Sequence, residues 1–150
     1  MPPIISFTDS NNTSITSLSF GGIDAGSTSD PIEIHIWNNK GGTPNVPNTT
    51  NTRITTKTYN GLDTGDTVPN GQEVVTYKMI QVKNISLSTP ETFYTSIGGP
   101  DSHAIGASTS EIIEGASPGG LCVLQIRAEI PTNATSGNIQ FLIRVLYQYV

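Results

Sequence analysis

The residues able to do chemistry are few, and their spacing argues against catalysis. Asp63-Thr64-Gly65 repeats the triplet with which aspartic proteases present a carboxylate on a tight turn, where two such groups share a proton. Those enzymes bury the triplet behind an apolar strand, whereas here it lies in Asn60-Gly61-Leu62-Asp63-Thr64-Gly65-Asp66-Thr67, a polar run that reads as a solvated turn. Asp63 and Asp66, like Asp24 and Asp30, carry oxygens that suit calcium, but no spacing converges the roughly six to eight ligands that ion takes. They read as turn aspartates bonded to their own backbone. His35 and His103 are the only histidines, too few for a three-histidine zinc site. Cys122 stands alone, which excludes an internal disulfide and a multi-cysteine metal site. Its place in Leu121-Cys122-Val123-Leu124-Gln125-Ile126 marks it as a small core residue. No Gly-x-Ser-x-Gly elbow occurs, and Gly98-Gly99-Pro100 and Gly119-Gly120 lack the Lys and the helix of a phosphate cradle. The expectation is no catalytic, cofactor-binding or metal-binding residue, and no enzyme.

Binding has better candidates. Trp37, with Tyr59, Tyr77 and Tyr94, offers aromatic surface of the kind that stacks on sugars. Trp37 falls on the strand face opposite Ile32, Ile34 and Ile36, so it is expected either exposed as a binding residue or packed under the loop from Gly41 to Asn51. Leu142 and Leu146 are the other candidates, because they place apolar side chains on the wrong face of the last strand.

Those side chains must be positioned by strands. Pro31 to Asn38 alternates at period two, Ile32, Ile34 and Ile36 against Glu33, His35 and Trp37. Leu121 to Ile130 sets Cys122, Leu124, Ile126 and Ala128 against Val123, Gln125, Arg127 and Glu129, and Pro131 closes it. From Asn138 to the C-terminus, Ile139, Phe141, Ile143, Val145, Tyr147 and Tyr149 share one face. The turn-rich run from Pro131 to Gly137 reads as the link of an antiparallel pair. Weaker strands are expected at Ile4 to Thr8, Ser14 to Phe20, Thr52 to Tyr59, Glu73 to Lys83, Thr92 to Ile97 and Ser110 to Glu114, from their Thr, Val, Ile and Tyr content. Asn60-Gly61 and Asn70-Gly71 are hairpin-turn dipeptides, and no window sustains a buried helix.

The pattern predicts one all-β domain over residues 1–150, an antiparallel β-sandwich with Ile34, Ile36, Leu124, Ile126, Phe141 and Ile143 in its core. With 150 residues the chain is long enough to bury a core without disulfides. Its net charge of −5 and scattered basic residues supply no stripe to neutralise phosphates, which argues against nucleic acid as a partner. No apolar stretch approaches the roughly 20 residues a membrane-spanning helix needs. The last strand carries Leu142 and Leu146 opposite Phe141, Ile143 and Val145, so either a partner covers one face or the strand tucks under a loop.

Two stretches carry a resemblance. Ile23-Asp24-Ala25-Gly26-Ser27-Thr28-Ser29-Asp30-Pro31 leading into the strand that ends at Asn38-Asn39 is similar to immunoglobulin-like accessory domains of bacterial surface proteins and glycosidases, the CARDB-like and alpha-galactosidase-associated group. Ile112 to Val145 resembles the same group through Pro118-Gly119, Ile130-Pro131 and Ala134-Thr135-Ser136-Gly137. The chain departs from that pattern between Gly41 and Gln72, where a long polar insertion stands. The resemblance implies an immunoglobulin-like sandwich and no catalytic residue. Such modules are usually exported, yet this sequence starts at Met1 without a signal, which leads to the expectation of a bacteriophage virion protein, either a capsid decoration or a tail or baseplate component. Its expected partners are capsid or other virion proteins and further copies of itself. The alternative is a carbohydrate- or cell-surface-binding module of an extracellular protein.

Overall fold

A computed structural model describes every residue except 43, 65–70, 110 and 138. Its strands form two antiparallel sheets, one of five strands in the order β1-β2-β7-β4-β5 and one of three in the order β6-β3-β8. In the larger sheet, β1 is Ile5–Thr8, β2 Ile32–Asn38, β4 Ile80–Asn84, β5 Thr95–Ile97 and β7 Gly120–Ala128. In the smaller, β3 is Thr50–Thr58, β6 His103–Ala104 and β8 Phe141–Gln148. One short helix, α1, spans Gly71–Thr76. The chain is thus an all-β sandwich.

Period two builds the centre. Ile34 pairs with Leu124 and Ile36 with Cys122 across β2 and β7, while Val82 pairs with Ile126 across β4 and β7. All six side chains point inward and are buried, as the strand pattern predicts for a sheet with one face on the core. Phe141 and Ile143 also pack on this core but stay half-buried, unlike their expected full burial, because β8 is the outermost strand of its sheet.

β3 shows how a threonine-rich strand sits inside a sheet. Two of its buried hydroxyls are satisfied by backbone, Thr52 donating to the Glu111 carbonyl at 2.8 Å and Thr55 to that of Gly99 at 2.8 Å, whereas the buried Thr56 hydroxyl has no partner among the described residues. A buried hydroxyl without such a partner costs about 1–3 kcal/mol. Asn38, fully buried at the end of β2, acts as a latch: its Nδ2 donates to the Pro47 carbonyl at 2.9 Å and its Oδ1 accepts from the Ile4 amide at 3.0 Å.

Several expectations need correction. β7 and β8 are not partners; β7 lies between β2 and β4, and β8 pairs with β3 in the other sheet. The Pro131 to Gly137 connector therefore crosses between layers, a step whose length resembles that of a hairpin link. Glu73 to Lys83 is not one strand, since α1 buries Val74 and Val75 before β4 begins at Ile80. Ser14 to Phe20 forms no strand beyond the Ser14 bridge to Thr8, although Ile15, Leu18 and Phe20 pack on the core. Within Ser110 to Glu114, Ile113 makes only a bridge to Thr49, and Ser110 lies outside the described residues. Asn60-Gly61 is a turn with Gly61 at φ +86°, but among the described residues the next element after β3 is α1 and not a strand. Asn70, Gly65 and Asp66 lie outside the described residues, as does Asn138 at the expected start of the last strand.

Candidate binding surfaces

The four residues expected to form a binding surface separate onto two layers. Leu142 and Leu146 lie on the outer face of the smaller sheet, opposite Lys57 and Arg53 of β3. Leu146 is 42% exposed and Leu142 half-buried. Tyr59, 47% exposed, follows β3 and shares a groove with Leu142. Trp37 belongs to the other layer, on the outer face of the five-stranded sheet.

The groove is the open seam of the sandwich. It runs between β1, the edge of one sheet, and β8, the edge of the other, with a volume of about 740 Å³. Phe7, Ile34, Phe141 and Ile143 contribute apolar side chains, and the strandless segment carrying Ile15 and Leu18 lines it as well. Among the described residues β8 pairs with β3 alone, so along its other side it offers strand-edge N–H and C=O groups. Arg144 is its single charged residue. Natural edges are usually blunted by charges, prolines or bulges, and β8 has little of that protection.

Trp37 is half-buried and held in place. Its Nε1 donates to the Thr8 hydroxyl at 3.0 Å, and the Lys40 ammonium lies 5.8 Å from the ring centroid. The loop expected to cover it fastens elsewhere, through Pro47 to Asn38 and through Pro44 to Asn39. Tyr94 lies against the cations Lys83 and Arg127, and Tyr77 follows α1. The aromatics thus make no single platform with Tyr59.

Of the groups weighed for chemistry, Asp63, His35 and His103 take structural partners. Asp63 pairs with Lys57 at 2.6 Å. Asp24 and Asp30 share the rim of an open hollow of about 470 Å³ with Ser27 and Thr28. Among the described residues no group of three or more His, Cys, Asp or Glu gathers as a metal site. His35 lies between Asn12 at 3.0 Å and Glu33 at 2.9 Å, while His103 faces both oxygens of Glu91 at 2.9 Å. Burial pushes the Cys122 thiol up to about 12, against smaller lowering effects from the Ser86 hydroxyl and the Gly106 backbone. Reactive cysteines need the opposite shift. No described helix is long and apolar enough to cross a membrane.

Sequence reasoning missed the cluster of Gln81, Lys83, Tyr94, Gln125 and Arg127. Alternation places Gln125 and Arg127 outward, but only the pairing of β4 with β7 sets Lys83 and Gln81 beside them. No protein-family model matches the chain, and no curated protein matches it significantly.

Proposed function

We propose that this chain is a non-enzymatic structural protein that works within an assembly, and that the assembly is a virion, where it decorates the capsid and reinforces the shell. The observation that carries the reading is β8: an eight-residue edge strand, apolar on both faces and flanked by the open seam. An incoming strand adds main-chain hydrogen bonds to such an edge and fills its side-chain pockets, the mode known as β-augmentation. A shell protein or a second copy can supply that strand and cover Leu142 and Leu146. The immunoglobulin-like resemblance belongs to the same proposal, by analogy with small sandwich proteins of phage heads and tails. The non-catalytic part is supported by the protonated, buried Cys122 and by histidines engaged with carboxylates.

The test is co-sedimentation with capsid shells that lack the protein, comparing wild type with Leu146→Asp. Leu146 is 42% exposed, so the isolated fold should melt close to wild type. A carboxylate buried at the contact is strongly unfavourable, so shell binding should fall by about tenfold or more, equivalent to at least ~1.4 kcal/mol. A monomer that ignores shells and binds a neutral glycan through Trp37 would replace this reading with that of a carbohydrate-binding module.

A further inference from the structure

We propose that the outer face of the five-stranded sheet holds a second site, for a carboxylate-bearing sugar, built on Arg127, Lys83 and Tyr94. It is independent of the β8 reading, because it lies on the other layer of the sandwich.

The chain has twelve acidic and seven basic residues, and four of the seven, Lys40, Lys83, Arg127 and Arg144, form no ion pair among the described residues; of these, Lys83 and Arg127 stand together on adjacent strands. Arg53 meets Glu111 at 3.6 Å, Lys57 meets Asp63 at 2.6 Å, and Lys78 pairs with Asp101. Among the described residues no carboxylate pairs directly with Arg127 or Lys83. These two are also diagonal neighbours: Gln81 is opposite Arg127 and Lys83 opposite Gln125 across β4 and β7, with all four side chains directed away from the core. Like charges so placed repel and are destabilising.

The fold holds the pair in place rather than letting it splay. The β4–β5 connection is closed where the Glu91 amide donates to the Asn84 carbonyl at 3.0 Å and the Asn84 amide to the Glu91 carboxylate at 2.7 Å. That closure returns Tyr94 to the sheet just before Thr95 pairs with Val82. Its ring centroid lies 3.8 Å from the Arg127 guanidinium carbon and 4.7 Å from the Lys83 ammonium. Each such contact offsets only about 0.5–1 kcal/mol and leaves the charge uncancelled.

Arg127 is oriented as well as placed. Its Nε donates to Gln81 Oε1 at 2.7 Å, and the Gln81 amide nitrogen donates to the Glu129 carboxylate. Gln81 is therefore a positioning residue. With Nε engaged, the two Nη groups remain as a planar fork, the geometry that grips a carboxylate through two parallel hydrogen bonds. Lys83 adds a second positive charge beside it. Glu33, the other acid on this face, is engaged with His35 at 2.9 Å.

The surroundings favour a sugar over an acidic peptide. Gln125 accepts from the Tyr94 hydroxyl at 3.3 Å through Oε1, which leaves its amide N–H groups as donors, and Ser96 lies 3.4 Å from the Gln81 amide nitrogen. These groups suit sugar hydroxyls. A protein partner would instead rely on a buried aromatic or aliphatic anchor at the centre of its contact.

The experiment is calorimetric titration of the full chain with a galacturonate oligosaccharide, with the neutral galactose oligosaccharide and polyglutamate as parallel arms. Binding to the galacturonate probe is expected, weakened by salt and absent for the neutral one. Arg127→Lys, which keeps the charge but removes the fork, should lose about tenfold, the scale of a charge-assisted hydrogen bond. Lys83→Gln removes a repelling charge, so it should fold at least as stably as wild type and still lose affinity. No binding of galacturonate by the wild type, undiminished binding in both variants, or polyglutamate binding as tight as galacturonate binding would each overturn the proposal.

Discussion

Cys122 shows how burial decides chemistry at a single residue. The thiol sits on the inward face of β7, opposite Ile36, and desolvation holds its neutral form. Its folded pKa of about 12 lies above the free value of 9.0, so the native state binds the proton more tightly than the unfolded chain. The sign follows: this contribution is fully present below about pH 9 and is lost as pH rises toward 12. At pH 8 a thiol reagent should leave the native protein unlabelled and label it rapidly in denaturant; equal rates would show an exposed thiol. Leu124, fully buried beside it, was readable as core from alternation alone. Leu124→Ala should cost about 2–5 kcal/mol in denaturant unfolding, and a loss within ordinary surface substitutions, about 0.5 kcal/mol, would contradict the β2–β7 register.

Between elements, legibility depended on whether a segment's own residues or a distant partner determined its state. β2 and β7 were legible because each alternates cleanly at period two. α1 was not, since six residues are too few to show a helical period and Val74-Val75 favour a strand reading. Ser14 to Phe20 has strand-like composition, yet Ile15, Leu18 and Phe20 reach the core without a ladder. Which strands pair was hidden for the same reason as the Arg127 cluster: register is set by tertiary contact across sequence separations such as the 42 positions from Lys83 to Gln125. Trp37, Tyr59, Leu142 and Leu146 could be picked out as surface candidates, but their separation onto two layers could not. The entry to β7 gives an element-scale prediction. Gly119 has φ +102°, and a Cβ there would stand 2.3 Å from the Asn39 carbonyl oxygen and 2.6 Å from that of Asn38. Gly119→Ala should therefore destabilise by more than about 1 kcal/mol, read as a lower denaturation midpoint at constant slope. An unchanged midpoint would show that this turn does not press on the end of β2.

For the whole molecule, the two layers differ in completeness. The five-stranded sheet buries its inner face, and Asn12, Gln81 and Tyr94 make polar side-chain contacts on its outer face. The three-stranded sheet ends on β8 with half-open apolar side chains, and the seam beside it leaves Phe141 and Ile143 only partly covered. On the function proposed above, the open side beside β8 is where another chain completes the sandwich. Amide hydrogen exchange across residues 141–148, compared between the free protein and the protein bound to shells, tests this most directly. The β8 amides are expected to slow markedly on assembly while those of β2 and β7, already interior to their sheet, change little. Unchanged exchange in β8, with new protection confined to another surface, would contradict it.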